Sequence, residues 1–258
     1  MIALPQTMGS MTKGLGSLPI PRPSGGHTTL STIFSTDESF SAAPLPATEY
    51  WDVSCWLYLP SGAPGRSFVC ITKASAVTFW TIASGGSGQL YVEIGNQSAT
   101  SRRYIFPSGD YRGAGWTHVI ASKDDQGVRL MINGVEKTGQ VNVGALPDVT
   151  APSHSFIGAF SYNGVITTYL TGQICELAYH FTDTLGDLWD ATEKAEIYNG
   201  GKTWDMSTAT APITRYFHAG SDTSGGASAL VWTDTKAVGN ITATNMTQDD
   251  NVIESALP

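Results

Sequence analysis

The 258-residue chain reads as an all-β sandwich, with one short helix and an extended N-terminal arm. Three observations carry that reading. Apolar residues alternate with period 2 in many short segments, the pattern of strands that bury one face. Turn residues punctuate those segments at about 8–12-residue spacing, without βα alternation. A single window, residues 190–199, carries the start and stop signals of a helix. The length suffices for one large core. The 28 Gly and only 14% charged residues suit short strands joined by tight turns.

Residues 1–39 are the arm. Pro19-Ile20-Pro21-Arg22-Pro23 and Gly14-Leu15-Gly16 fix or loosen the backbone without supplying a core. Ile2, Leu4, Met8, Met11, Leu15, Leu18 and Ile20 punctuate it as apolar anchors for assembly. Residues 40–240 form the sandwich. In the first clear strand, Trp51, Val53, Cys55, Leu57 and Leu59 share an apolar face, while Tyr50, Asp52, Ser54, Trp56 and Tyr58 mix polar and aromatic groups on the other. Strands follow over 67–72, 77–83 and 90–94. Residues 116–122 and 128–132 make a hairpin around Asp124-Asp125-Gln126-Gly127, and Asn133-Gly134 is a strong two-residue turn signal. Strands 155–159 and 173–181 come next, and Cys175, Leu177, Tyr179 and Phe181 share a face. Asp190 with Glu193 predicts a capping box, and Gly200-Gly201 the stop. Strands over 213–218 and 229–233 precede a polar tail, 241–258, with Asp249, Asp250 and Glu254. Trp51, Val53, Cys55, Leu57, Leu177, Tyr179 and Phe181 are the expected core.

Five fragments occur in a telling order: Trp116-x-His118-Val119, Ile132-Asn133-Gly134, Ile157-Gly158, Gly172-x-Ile174-x-Glu176-Leu177 and Tyr198-Asn199-Gly200-Gly201. Together they resemble the laminin-G-like, or concanavalin A-like, jelly roll across roughly residues 45–201. That resemblance implies a jelly-roll β-sandwich used for recognition or attachment. The whole layout, a Pro/Gly-rich arm ahead of such a domain, is similar to that of tailed-phage virion proteins. It implies a capsid decoration or tail- and fibre-associated protein. Its partners would be other virion proteins held through the arm, and further copies of itself.

Charge and hydropathy exclude other classes. The net charge is −8 and no window holds more basic residues in a row than Arg102-Arg103, so a nucleic-acid partner is not expected. No apolar run approaches a membrane span. Residues 1–5 show no signal-peptide pattern, so the expectation is a mature form or synthesis in a host cytoplasm without export. Cys55, Cys70 and Cys175 are far apart, and the expectation is buried free thiols.

Catalysis is not expected. Jelly-roll glycosidases set paired acids at i, i+2 or i+4 of one strand, and glycoside hydrolysis needs two carboxylates about 5–10 Å apart. Glu93 and Glu176 each lack an acidic neighbour two residues away. His118 shares a strand face with Trp116 and has no second His at ligand spacing, so it reads as structural. Asp124 and Asp125 are the candidate Ca²⁺ ligands, since related jelly rolls hold calcium in rim loops. An ordinary Asx turn is the favoured reading there, and no cofactor is expected. Exposed aromatics are the better lead for binding. Trp56, Tyr58, Trp80, Tyr104, Tyr111, Tyr162 and Tyr169 lie in or beside strands and loops, and of these Trp56, Tyr58, Tyr111 and the Tyr162-Asn163 turn are the candidates for contact with a glycan or partner. The expected function is thus a non-enzymatic virion structural protein. The alternative is a lectin-like carbohydrate-binding module.

Overall fold

In a computed structural model, the described residues are 30–34, 39–42, 48–63, 68–73, 78–96, 100–147, 154–162, 165–203, 205–217, 229–232, 236, 241–247 and 251–253. The strands are β1 (Leu30–Phe34), β2 (Ser39–Ala42), β3 (Tyr50–Tyr58), β4 (Phe68–Lys73), β5 (Thr78–Ser84), β6 (Leu90–Asn96) and β7 (Arg102–Ile105). Then come β8 (Trp116–Lys123), β9 (Val128–Ile132), β10 (Val135–Lys137), β11 (Val141–Val143), β12 (His154–Ile157), β13 (Ala159–Tyr162), β14 (Val165–Tyr169) and β15 (Gly172–Thr182). Helix α1 (Ala191–Tyr198) follows, and β16 (Arg215–Phe217), β17 (Ala229–Trp232), β18 (Ile241–Thr247) and β19 (Asn251–Ile253) complete the chain.

These strands build two antiparallel sheets. The first runs β10-β9-β8-β3-β15-β1-β19, with β16 beside β15. The second runs β11-β7-β6-β5-β4-β12-β2-β18-β17, and β13 with β14 forms a separate hairpin. Val53, Cys55, Leu57, Val119, Ala121, Leu177 and Tyr179 of the first sheet meet Leu90, Val92, Ile94 and Ile105 of the second in one buried cluster. This is the two-layer sandwich that the alternation predicts. The expected core residues are all buried except Phe181, which is half-buried at the end of β15 and packs against the cluster.

The first sheet is buried on its other face too. Ile120, Ala178 and Tyr216 pack there against Trp189, Ile197, Met206 and Ala211 from the segment containing α1. The polar face of β3 is therefore interior, and its polar atoms need partners. Asp52 accepts hydrogen bonds from the Ser122 hydroxyl and, at 2.8 Å, from the Trp189 backbone N–H. The Lys194 ammonium lies 3.9 Å away. Helix α1 starts where expected, with both halves of the Asp190–Glu193 capping box formed, and Asn199 closes it in the left-handed region. Glu196 accepts from the backbone of Thr210 and Ala211, tying the helix to the segment after it.

The dispersed fragments of the family pattern meet in one place. Asn133 and Gly134 turn with φ of +49° and +74°. The Asn133 side chain accepts from the His118 N–H at 2.8 Å. A Cβ on Gly134 would sit 2.6 Å from the Tyr198 ring, so glycine here is required by contact as well as by dihedral angle. Tyr198 in turn stacks on Trp56 and tilts against His118, with centroids 6.4 and 5.4 Å apart. His118 Nε2 lies 2.9 Å from the Ser54 hydroxyl. The imidazole is fully buried, and burial pushes its pKa down to about 3. It is a neutral, structural ring.

The domain limits read from composition move at both ends. Leu30–Phe34 pairs with β15 and with β19, and β2 begins at Ser39, so part of the expected arm belongs to the sandwich. The expected tail holds β18 and β19, both paired in the sheets. Side-chain polarity concealed these strands, because β18 (ITATNMT) holds three Thr and one Asn in seven residues. Residues 1–29, with the anchors from Ile2 to Ile20, lie outside the described residues. Of the cysteines, Cys55 and Cys175 are buried, and burial pushes the Cys55 thiol up to about 12; the Cys70 side chain is outside the described set.

Leu57→Ala and Leu177→Ala should each lower unfolding free energy by roughly 2–5 kcal/mol in denaturant titrations. A loss below about 0.5 kcal/mol at both would contradict their place between the sheets. His118 makes stability pH-dependent. Its unfolded form takes up a proton near pH 6.5, whereas the folded form does so only near pH 3. Stability from this group is full above about pH 6.5 and is lost as pH falls between those values. Between pH 7 and pH 5, wild type should lose roughly 1–2 kcal/mol more than His118→Gln. Parallel pH profiles would show that the ring is reached by protons in the folded state.

Candidate functional site

With α1 over the first sheet, the outer face of the second sheet is the one whose exposed groups remain to be explained. Its strands alternate as the sequence dictates. On β6, Leu90, Val92 and Ile94 point to the core, so Tyr91 and Glu93 point outward. Register places Glu93 opposite Thr81 on β5 and Tyr104 on β7. Val141 lies opposite Tyr104, and Val143 opposite Arg102. Opposed residues of antiparallel strands share a face. Tyr91, Glu93, Arg102, Tyr104, Val141 and Val143 therefore stand together.

This face is apolar at its margin and charged at its centre. Phe106, Val141 and Val143 are 45, 41 and 38% exposed, which is unusual for large hydrophobic side chains in β-strands and their ends. Phe106 follows β7 and packs against Tyr91 with centroids 5.1 Å apart. At the centre, Arg102 Nε donates to Glu93 Oε1 at 2.6 Å. Arg102 also lies over the Tyr104 ring, 5.0 Å from its centroid, a cation–π contact that orients the guanidinium. The hydrogen bond to Glu93 raises the Arg102 pKa further above its ordinary value. Glu93 is recessed, 6% exposed, and Arg102 is half-buried beside it. Arg103 points the other way and binds the carbonyls of Val143 and Gly144 at 3.1 and 3.0 Å.

The residues singled out from sequence are distributed differently. Trp56 is not an exposed aromatic: it is 3% exposed beneath Tyr198. Tyr58 is half-buried on the outer face of the first sheet and tilts against Trp116 at 5.8 Å. Tyr111 is half-buried in the loop between β7 and β8, its N–H bonded to Gly88 O. That loop also holds Arg112, whose guanidinium is paired with Asp110 at 2.7 Å. The Tyr162 side chain and Asn163 lie outside the described residues. On the second sheet, Tyr104 is among the aromatics that the sequence marks and Glu93 is a lone acid, while Tyr91, Arg102 and Phe106 are ordinary alone. The signal was the run Arg102-x-Tyr104-x-Phe106, whose period 2 sets a cation and two rings on one side.

Asp124 is explained by its turn. Its Oδ1 accepts from the N–H of Gln126 and Gly127, and Oδ2 from Arg129 at 2.6 Å. Burial works to raise its pKa, but these bonds outweigh it and hold the carboxyl below the usual range. Asp125 is exposed beside it. No group of three potential metal-ligating His, Cys, Asp or Glu occurs among the described residues. Both acids border a cleft of about 420 Å³ between β8, β9 and the start of α1, lined also by Trp189, Arg129 and Lys194. Its cations already face Asp124 and Asp52. Glu176 is fully buried at a β-bulge, with φ of +51°, and accepts from the Tyr216 hydroxyl.

Comparison with known proteins bears on this architecture. No curated protein matches the chain in sequence. Among solved structures, a Bacteroides ovatus protein assigned as carbohydrate binding is 14% identical with a TM-score of 0.54, over 85% of this chain and 59% of that one. The CBM40 module of the Ruminococcus gnavus IT-sialidase, bound to α2,3-sialyllactose, is 14% identical with a TM-score of 0.51, over 65% and 97%. A heptameric SAP-like pentraxin from Limulus polyphemus is 14% identical with a TM-score of 0.48, over 66% and 82%. At these identities the likeness is one of fold. The family model of the concanavalin A-like lectin/glucanases superfamily matches residues 35–182, more than half of the sequence and both sheets. The chain belongs to the concanavalin A-like lectin/glucanases superfamily.

Proposed function

We propose that the chain is a non-catalytic carbohydrate-binding domain and that the outer face of the second sheet is its binding surface. The observation that carries this reading is the grouping of Tyr91, Tyr104 and exposed Phe106 around the recessed Glu93–Arg102 pair. Flat rings offer apolar area to the C–H faces of sugars, and a few placed polar groups give orientation. One structural neighbour holds a bound glycan and a second is assigned as carbohydrate binding, which supports the same reading. Strands β4 to β7 carry one carboxylate, Glu93, whereas glycoside hydrolysis takes two. The attachment role expected for the N-terminal arm, residues 1–39, rests on the anchors from Ile2 to Ile20, which lie outside the described residues, and no observation on the sandwich favours a place in a virion.

A glycan array followed by calorimetry on the best hits tests this. Tyr104→Ala and Phe106→Ala should each weaken binding by about tenfold or more, since each removes a large share of the contact area. Both variants should keep the wild-type β-sheet circular dichroism spectrum. Binding that survives both changes would move the site elsewhere. Release of sugar from a bound polysaccharide, lost in Glu93→Gln, would overturn the non-catalytic assignment.

A further inference from the structure

Resting on that reading, we infer that the face selects neutral glycans, recognised through adjacent hydroxyl groups, and disfavours acidic ones. The inference comes from how the one ion pair at its centre is built. Glu93 spends Oε1 on Arg102 Nε; its Oε2 makes no hydrogen bond among the described residues. Arg102 spends Nε on Glu93 and rests its plane over Tyr104, and its Nη groups make no hydrogen bond among the described residues. An unused acceptor and unused donors thus sit side by side. A pair of neighbouring sugar hydroxyls supplies the matching donor and acceptor, because each hydroxyl is both. A ligand carboxylate or sulfate matches only the donors, and it meets the Glu93 charge at the same place.

The charge balance points the same way. The Arg102 charge is neutralised at 2.6 Å by Glu93. The neighbouring cations are engaged as well: Arg112 by both oxygens of Asp110, and Arg103 by the carbonyls of Val143 and Gly144. Arg103 keeps its charge but points the other way, and among the described residues of this face no cation lacks a carboxylate partner. The protein as a whole, at −8, repels an anion. The surrounding Tyr91, Phe106, Val141 and Val143 are apolar or neutral, and they suit the C–H face of an uncharged sugar.

The experiment is an array of matched glycans, each core printed with and without a sialic acid, uronic acid or sulfate, probed with the full chain. Preference for the neutral members supports the inference. Preference for the acidic members overturns it and leaves the carbohydrate-binding reading standing. Absence of binding to every member overturns both. Glu93→Gln supplies the second arm, with 3′-sialyllactose and lactose as matched probes. It leaves one oxygen for Arg102, exchanges the unused acceptor for an N–H donor and frees the Arg102 charge, so affinity for the best neutral ligand should fall about tenfold while the sialylated-to-neutral ratio rises. An unchanged ratio in a folded variant would overturn the inference. Should Glu93→Gln not fold, Arg102→Gln serves: it leaves Glu93 uncompensated, and any residual binding should discriminate more strongly against the acidic probe. Loss of that discrimination would overturn it equally.

Discussion

A carboxylate buried in the middle of a sheet organises this molecule. Asp52 lies on β3, fully enclosed, and a buried charge is tolerated only where it is bonded and paired. Its partners come from three different elements: the Ser122 hydroxyl of β8, the Trp189 N–H ahead of α1, and the Lys194 ammonium on the first turns of the helix. Burial raises its pKa, while Lys194, Ser122 and the Trp189 N–H pull the other way. These contacts can all be made only when the 185–213 segment lies across the first sheet. Trp189, Ile197 and Met206 then complete an apolar second layer around a polar pin.

That layer determines which surfaces are left for recognition. It covers the outer face of the first sheet, including Trp56, and among the described residues no helix lies over the second sheet. The surface proposed to bind sugar follows from this asymmetry. Paired strands hold Tyr104 and Glu93 in register, whereas on the α1 side Trp189, Ile197 and Met206 pack over the sheet. A flat strand face suits rings and an ion pair because side chains two apart project in parallel.

Much of the fold was legible from local pattern. Helix α1 was legible through its caps, the β8–β9 hairpin through Asp124 to Gly127, and the core through the alternation on β3 and β15. Edge and closing strands were not. β11 is three residues long and wholly exposed, and β1 and β18 owe their place to partners far away in sequence. The site was less legible still. Alternation marks Trp56 as outward-facing, but a later segment makes that side interior, and no pattern within β3 announces it. Arg102, Tyr104 and Phe106 carry the period-2 signal, yet their meaning depends on Glu93 arriving opposite from β6. The family fragments show the same thing from another side. His118, Gly134 and Tyr198 look unrelated along the chain and form a single contact in space.

The pairing of Leu30 with Ile253 across β1 and β19 has a consequence for how the protein comes to exist. Strand β1 is among the first parts of the domain to leave the ribosome, and its other neighbour, β15, follows about 140 residues later. One edge of β1 then stays open until synthesis reaches residue 253. Closure of such distant ends is slow, and an unpaired edge in the interval invites other strands. That edge is therefore exposed to misassociation until residue 253 has emerged, and the arrival of β19 is the event that covers β1 on its second side.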